Sequence, residues 1–271
     1  MNHSLKFAVL FLLGEFFLLQ SCNNNSPSPT PNSCDTTMHQ HPAALGINQS
    51  PIDITLTTKI SGNCVNNLFQ YVTNEARFIF DTADANMEHE PNINGVPNPI
   101  NNLNFVTFRG KTYFLNQFHF HNPAEHRIDG TLDSMEMHLV YKDVNGNGIV
   151  IARMFVADRN NPNSPDLELL FRKIAERAAC TSTKCDVNGV FKLSSFIPPN
   201  LDAAPYYTYT GSLTTPPYQE GITWVVLQEP MKISLNDYAM FKSIDYKGQK
   251  IGKSRKTFDV ANRVVLEVDQ H

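Results

Sequence analysis

What the chain has little of narrows it first. No apolar run reaches the roughly 20 residues that a helix needs to cross a bilayer; the longest, Phe7 to Leu19, is too short and is interrupted by Glu15. Neither sign of charge dominates: 22 Lys and Arg stand against 26 Asp and Glu, for a net charge of −4. Nucleic-acid binding calls for a concentrated basic excess, so that class is set aside. The five cysteines contain no C-x-x-C pair, which argues against a zinc site built on thiolates. No internal repeat is present. Apolar residues make up 41% of 271, enough to bury a sizeable core, so a disordered chain is not expected either.

The N-terminus has its own character. Lys6 precedes the apolar Phe7 to Leu19, and Leu19, Gln20, Ser21 and Cys22 follow, which reads as an export signal over residues 1–21. Its Leu-x-Ser-Cys ending resembles a bacterial lipobox, so Cys22 is the candidate lipid anchor. The expectation is an exported protein, periplasmic or on the cell surface, that meets the membrane through that lipid alone. Residues 22–36, rich in Asn, Ser and Pro, form a flexible tether. The remaining 37–271 are expected to form one domain. In an oxidising compartment Cys34, Cys64, Cys180 and Cys185 permit two disulfides. The short loop between Cys180 and Cys185 favours that pair and leaves Cys34 with Cys64, although four cysteines allow three connectivities and the sequence does not choose.

Many short β-rich runs follow, among them residues 76–80, 104–108, 112–121, 134–142, 149–157 and 222–228, punctuated by Pro, Gly and Asn. Two segments read as helices. Ser164 caps one, with Pro165 in its first turn and Leu167, Leu170, Phe171 and Ile174 on one face; Ser234, with Asp237 three residues on, starts the other. The fold class is therefore mainly β (α+β): a single domain with a large, mostly antiparallel, twisted central sheet and short peripheral helices. Asp143, Asn145, Asn147 and Gly148 match the opening of a calcium-binding loop, but Met154 stands where its bidentate glutamate is needed. A tight Asn-Gly hairpin turn is the better reading.

The chemistry concentrates in two runs. Side chains alternate along a strand, so in Gln117-Phe118-His119-Phe120-His121 the residues Gln117, His119 and His121 share one face while both phenylalanines take the other. In Glu136-Met137-His138-Leu139-Val140, the residues Glu136, His138 and Val140 share a face likewise. If the two strands are antiparallel neighbours, three imidazoles converge and supply three nitrogen ligands for tetrahedral zinc, with its fourth position open as in catalytic sites. Gln117 and Glu136, each two residues from a histidine, are the acceptors that would fix the imidazole orientations.

These residues carry a resemblance. QFHFHNPAEH at Gln117 to His126 and EMHLVY at Glu136 to Tyr141 resemble the zinc-site signature of the alpha-class carbonic anhydrases; GSLTTPP at Gly211 to Pro217 resembles that family's substrate-side loop, and NQSPIDI at Asn48 to Ile54 its domain start. The resemblance implies zinc as cofactor, carbon dioxide and bicarbonate as substrate and product, and reversible hydration by a zinc-activated water. It implies His119, His121 and His138 as ligands, with Gln117 and Glu136 supporting them. Thr214 would donate to the carboxylate of Glu125 and so accept from that water. His126 and Tyr209 would brace the network, and Thr215 would border the substrate. Val140, Ile151, Leu213 and Trp224 would form the apolar wall.

Two departures from the family pattern carry consequences. Asp84 falls where a proton-shuttling histidine often stands, with His89 facing the other way, and a carboxyl with a pKa near 3.9 relays protons poorly at neutral pH. The cysteine often found after Thr-Thr-Pro-Pro is Tyr218 here, so the family's common bacterial disulfide is expected to be missing. Two rival functions are a catalytically silent surface binding module, for which the loss of a zinc histidine would be the usual sign, and a zinc esterase.

Overall fold

Period-two burial is the clearest local pattern. Along residues 75–82 the side chains of Ala76, Phe78 and Phe80 are buried and those of Arg77 and Ile79 are exposed, as in a strand with one covered face. The structure, a computed structural model, describes residues 46–55, 57–60, 69–82, 92–98, 103–180, 185–198, 201 and 204–269, all within the unit Cys34–His271. The expected signal and tether (1–36), Cys22, Cys34, Cys64, Asp84 and His89 lie outside the described residues.

In chain order the elements are β1 (Asp53–Ile54), β2 (Thr58–Ile60), β3 (Phe69–Val72), β4 (Glu75–Thr82), β5 (Ile93–Pro97), β6 (Phe105–Phe108), β7 (Lys111–His121), β8 (Arg127–Ile128), β9 (Met135–Lys142) and β10 (Gly148–Asp158). Then come α1 (Pro165–Ala179), β11 (Val187–Lys192), β12 (Tyr206–Ser212), β13 (Glu220–Leu227), β14 (Met231–Ser234), α2 (Leu235–Ser243), β15 (Asp245–Tyr246), β16 (Gln249–Lys250) and β17 (Leu266–Val268). Among the described residues one large sheet runs β11-β4-β5-β7-β9-β10-β13-β12-β17-β2, with β6 on β7, β3 on β6 and β14 on β10. Most neighbours are antiparallel, as expected; β10 with β13, β10 with β14, and β17 with β2 are parallel, so the sheet is mixed.

Strands β9 and β10 sit mid-sheet and are buried on both faces, because each face has its own core. Met137, Leu139, Tyr141, Ile149, Ile151 and Phe155 join the larger, aromatic-rich core with Phe118 and Phe120 of β7. Val140, Val150, Ala152, Met154, Tyr209 and Trp224 form a smaller core on the opposite face. The larger core is closed by α1, which buries Leu167, Leu170, Phe171 and Ile174, a gain of about 1.5–3 kcal/mol for each large side chain. The Phe171 ring lies 5.4 Å from that of Phe120 and 5.2 Å from that of Phe241 in α2. Both helices start where expected. Ser164 Oγ accepts from Leu167 N at 3.3 Å, and Ser234 Oγ accepts from Asp237 N at 2.9 Å. Asp237 Oδ2 accepts in turn from Ser164 N, tying the two helix starts together.

The β9–β10 connection corrects the tight-turn expectation. Lys142 pairs with Gly148, so residues 143–147 form a five-residue loop. Asp143 Oδ1 accepts from the backbone N–H groups of Asn145 and Asn147, both at 2.8 Å, and Gly146 takes the left-handed φ of 85°. That carboxylate organises the loop, in keeping with the rejected calcium reading.

Candidate metal centre

Strands β7 and β9 are antiparallel neighbours with His119 opposite His138 and His121 opposite Glu136. The three imidazoles thus meet on one face, with ring centroids 4.9 Å apart for His119–His121, 5.2 Å for His119–His138 and 4.6 Å for His121–His138. One nitrogen of each lies within 4.8 Å of the others. All three rings are buried.

One nitrogen of each ring is already engaged. His119 Nδ1–H donates to Gln117 Oε1 at 2.8 Å, His121 Nδ1–H to the Lys253 carbonyl at 3.0 Å, and His138 Nε2–H to Glu136 Oε1 at 2.7 Å. These bonds fix each tautomer and leave His119 Nε2, His121 Nε2 and His138 Nδ1 as lone-pair donors. Nε2 of His119 and of His121 are buried with no hydrogen-bond partner among the described residues, an arrangement that costs free energy unless a ligand fills it. Burial lowers the pKa of all three, that of His119 furthest, so the rings are neutral as a metal requires. The residues therefore fit a zinc ion.

Gln117 and Glu136 stand where the alternation puts them. Burial alone would raise the pKa of Glu136, but His126 and His138 hold it well below the carboxylate range. Its Oε1 also accepts from His126 Nδ1 at 2.7 Å, and Oε2 accepts the backbone N–H groups of Glu125 and His126. His126 Nε2, left as an acceptor, takes the Tyr209 hydroxyl proton at 2.7 Å, and Tyr209 Oη in turn lies 2.9 Å from Ser50 Oγ. The second His/Glu group, His126, Glu136 and His138, is thus consumed by hydrogen bonds rather than free for a metal. Gly211 is required beside it, since a Cβ there would collide with Ser50 Oγ.

Glu125 is buried, 3.5 Å from His121 Nδ1, and Oε1 accepts from Arg255 N at 2.7 Å. Burial chiefly, opposed by His138, pushes its pKa up to about 7. The Thr214 hydroxyl approaches closely enough to favour the ionised form, while Oε2 still lacks a partner in full hydrogen-bond geometry. The partners that sequence reasoning missed are the Lys253 carbonyl and the Arg255 amide, 132 and 130 residues from the groups they touch. Gly252 admits that segment, because a Cβ there would come within 2.6 Å of the Phe120 carbonyl.

A cavity of about 120 Å³ opens beside the histidines, lined by Val140, Leu213, Thr214, Thr215 and Trp224 and also by Gln117, Val150, Asn116 and Lys142. The Trp224 ring lies 4.9 Å from His138 and 4.7 Å from His126, and Nε1 donates to the Ser212 carbonyl. Ile151 is a correction: it pairs with Leu139 and lies in the larger core on the other face, and Val150, paired with Val140, lines the cavity in its place. The hairpin loop decides this. A two-residue turn at Asn145-Gly146 would set residue 140 opposite 151, whereas the five-residue loop sets it opposite 150. The Cys180–Cys185 disulfide forms as the loop length favoured, at the end of α1.

A family model of eukaryotic-type carbonic anhydrase matches residues 32–269. A carbonic anhydrase of Pectobacterium carotovorum is 33% identical over 199 residues, 73% of this chain and 72% of that protein. One of Neisseria gonorrhoeae is 36% identical over 185 residues, covering 68% of this chain and 65% of the other. Among solved structures, the alpha-carbonic anhydrase of Photobacterium profundum superposes with a TM-score of 0.63 at 26% identity, over 83% of this chain and 91% of that one.

Proposed function

The chain belongs to the eukaryotic-type carbonic anhydrase family of enzymes, and from that premise we propose that it hydrates carbon dioxide reversibly with a zinc ion held by His119, His121 and His138. The observation that carries the reading is the pair of buried, partnerless Nε2 atoms facing a third imidazole on rigid strands. Zinc bound there would supply Lewis acidity that brings the pKa of a coordinated water to about 7, carbonic anhydrase being the standard case of that value.

The side chains account for the rest. Gln117, the Lys253 carbonyl and Glu136 keep a proton on the far nitrogen of each ring, so that the near one stays a donor to metal. Glu125 Oε2 accepts from the Thr214 hydroxyl once the two close to hydrogen-bond distance; Thr214 Oγ1 then serves only as an acceptor and orients the attacking water's lone pair toward carbon. Val140, Val150, Leu213 and Trp224 give a nonpolar substrate a dry wall. Thr215 borders the same space. The cavity is below the roughly 300–1,000 Å³ of sites that enclose larger ligands, which confines ester hydrolysis to small esters. Asp84, at the shuttle position, would export protons slowly at neutral pH.

The test is stopped-flow hydration of carbon dioxide alongside zinc content, before and after a chelator. One zinc per chain and a rate lost on chelation and regained with zinc support the reading; a metal-loaded protein without hydration refutes it in favour of the silent module. Export and lipidation at Cys22 complete the proposal, and Cys22→Ser should move the protein from the membrane fraction to the soluble one.

A further inference from the structure

The cavity wall holds a residue that the hydration scheme leaves unused. Lys142 lies on the same face of β9 as Glu136, His138 and Val140, two residues beyond Val140, and its side chain lines the cavity at the exposed end of the strand. It pairs with Phe114 of β7. Between them β7 carries a bulge: the register slips between Leu115 and Gln117, and the extra residue, Asn116, also lines the cavity. Lys142 is the one Lys or Arg among the described residues of the lining, which includes no carboxylate. None of the ion pairs among the described residues involves it.

A lone ammonium group at the mouth of a cavity whose other lining side chains carry no formal charge adds to the pull that a bound metal ion exerts on anions, and so discriminates by charge. It does nothing for carbon dioxide but attracts an anion, with the Asn116 amide beside it as a further donor. The reaction interconverts those two kinds of molecule. We infer that Lys142 is an anion-selecting residue that strengthens binding of bicarbonate and other small inorganic anions at this site, assisted by Asn116 on the bulge. The inference rests on the zinc reading of the centre.

Cobalt(II) put in place of zinc gives a visible spectrum that reports anion binding without turnover. Wild type, Lys142→Met and Lys142→Arg are each loaded with cobalt and titrated with nitrate and with bicarbonate. The titrations are run at about 10 mM ionic strength, where the Debye length is about 30 Å, and again near 1 M in the sodium salt of a bulky organic sulfonate too large for the cavity, where it is about 3 Å. Lys142→Met should weaken both anions about two- to five-fold at low salt, the size expected of an exposed charge. The difference should vanish at high salt, and Lys142→Arg should bind as wild type does. Because Lys142 is exposed at a strand end, all three proteins should take up cobalt with equal affinity. Equal anion affinity in wild type and Lys142→Met at low salt, a difference indifferent to salt, or an arginine variant as weak as the methionine one overturns the role of Lys142 and leaves the metal reading standing. A wild-type protein that binds no cobalt overturns both.

Discussion

Replacing Glu136 by Gln should damage metal binding and folding together, because that carboxylate is the junction of the site. It accepts four hydrogen bonds in full burial: two from the rings of His126 and His138 and two from the backbone N–H groups of Glu125 and His126. An amide of the same shape has one acceptor oxygen. If that oxygen faces the rings, the NH2 points at two backbone donors that lose their acceptor. At about 1–3 kcal/mol for each buried donor left unpaired, the loss is about 2–6 kcal/mol. If the amide flips, its NH2 faces His138 Nε2, which must then accept; the proton moves to Nδ1 and the ring can no longer ligate. In either orientation the support of His138 weakens, and the loss of such an outer partner typically lowers metal affinity about 10–100-fold. At about 2–4 °C for each kcal/mol in a domain of this size, the melting temperature should fall by roughly 4–24 °C. Zinc competition against a chromophoric chelator and scanning calorimetry read the two effects. A Glu136→Gln protein with wild-type zinc affinity and melting temperature would refute the reasoning.

Three further outcomes follow from the geometry. Ile151→Ala should lower stability by about 2–5 kcal/mol with little change in KM, while Val150→Phe should fill the cavity and abolish hydration with the fold intact; the reverse pattern would contradict the face assignment. In zinc-free protein, burial keeps His119, His121 and His138 below their usual 6.5, so on acidification the unfolded chain takes up protons that the folded one refuses. Glu125, pushed up to about 7, opposes this with one proton against three. Stability should therefore fall as pH drops through about 6.5, and a melting temperature equal or higher at about pH 5.5 than at about pH 7.5 counts against it. Imidazole buffer should raise the maximal hydration rate by relieving proton export, as should Asp84→His; no response to either would contradict a proton-limited cycle.

Much of the fold and centre was legible because it rests on local periodicity. Alternation in QFHFH and EMHLV puts the histidines and their supporting acceptors on one face, and it holds because both strands are regular there. The caps at Ser164 and Ser234 are likewise short-range. What escaped depends on register or on distant chain. The hairpin loop has one odd residue count that moves the cavity wall from Ile151 to Val150, and the bulge at Asn116 interrupts alternation, so that Leu115 joins the larger core. The acceptor for His121 and the donor to Glu125 are backbone groups at 253 and 255, and a backbone atom leaves no mark in the residue code.

In the proposed centre three imidazole nitrogens, and no sulfur, hold one metal ion. X-ray absorption at the zinc edge of the purified protein reads this directly. Three nitrogen scatterers at about 2.0–2.1 Å with one further light ligand are expected. A sulfur shell near 2.3 Å, or zinc that washes off with buffer, would contradict that coordination.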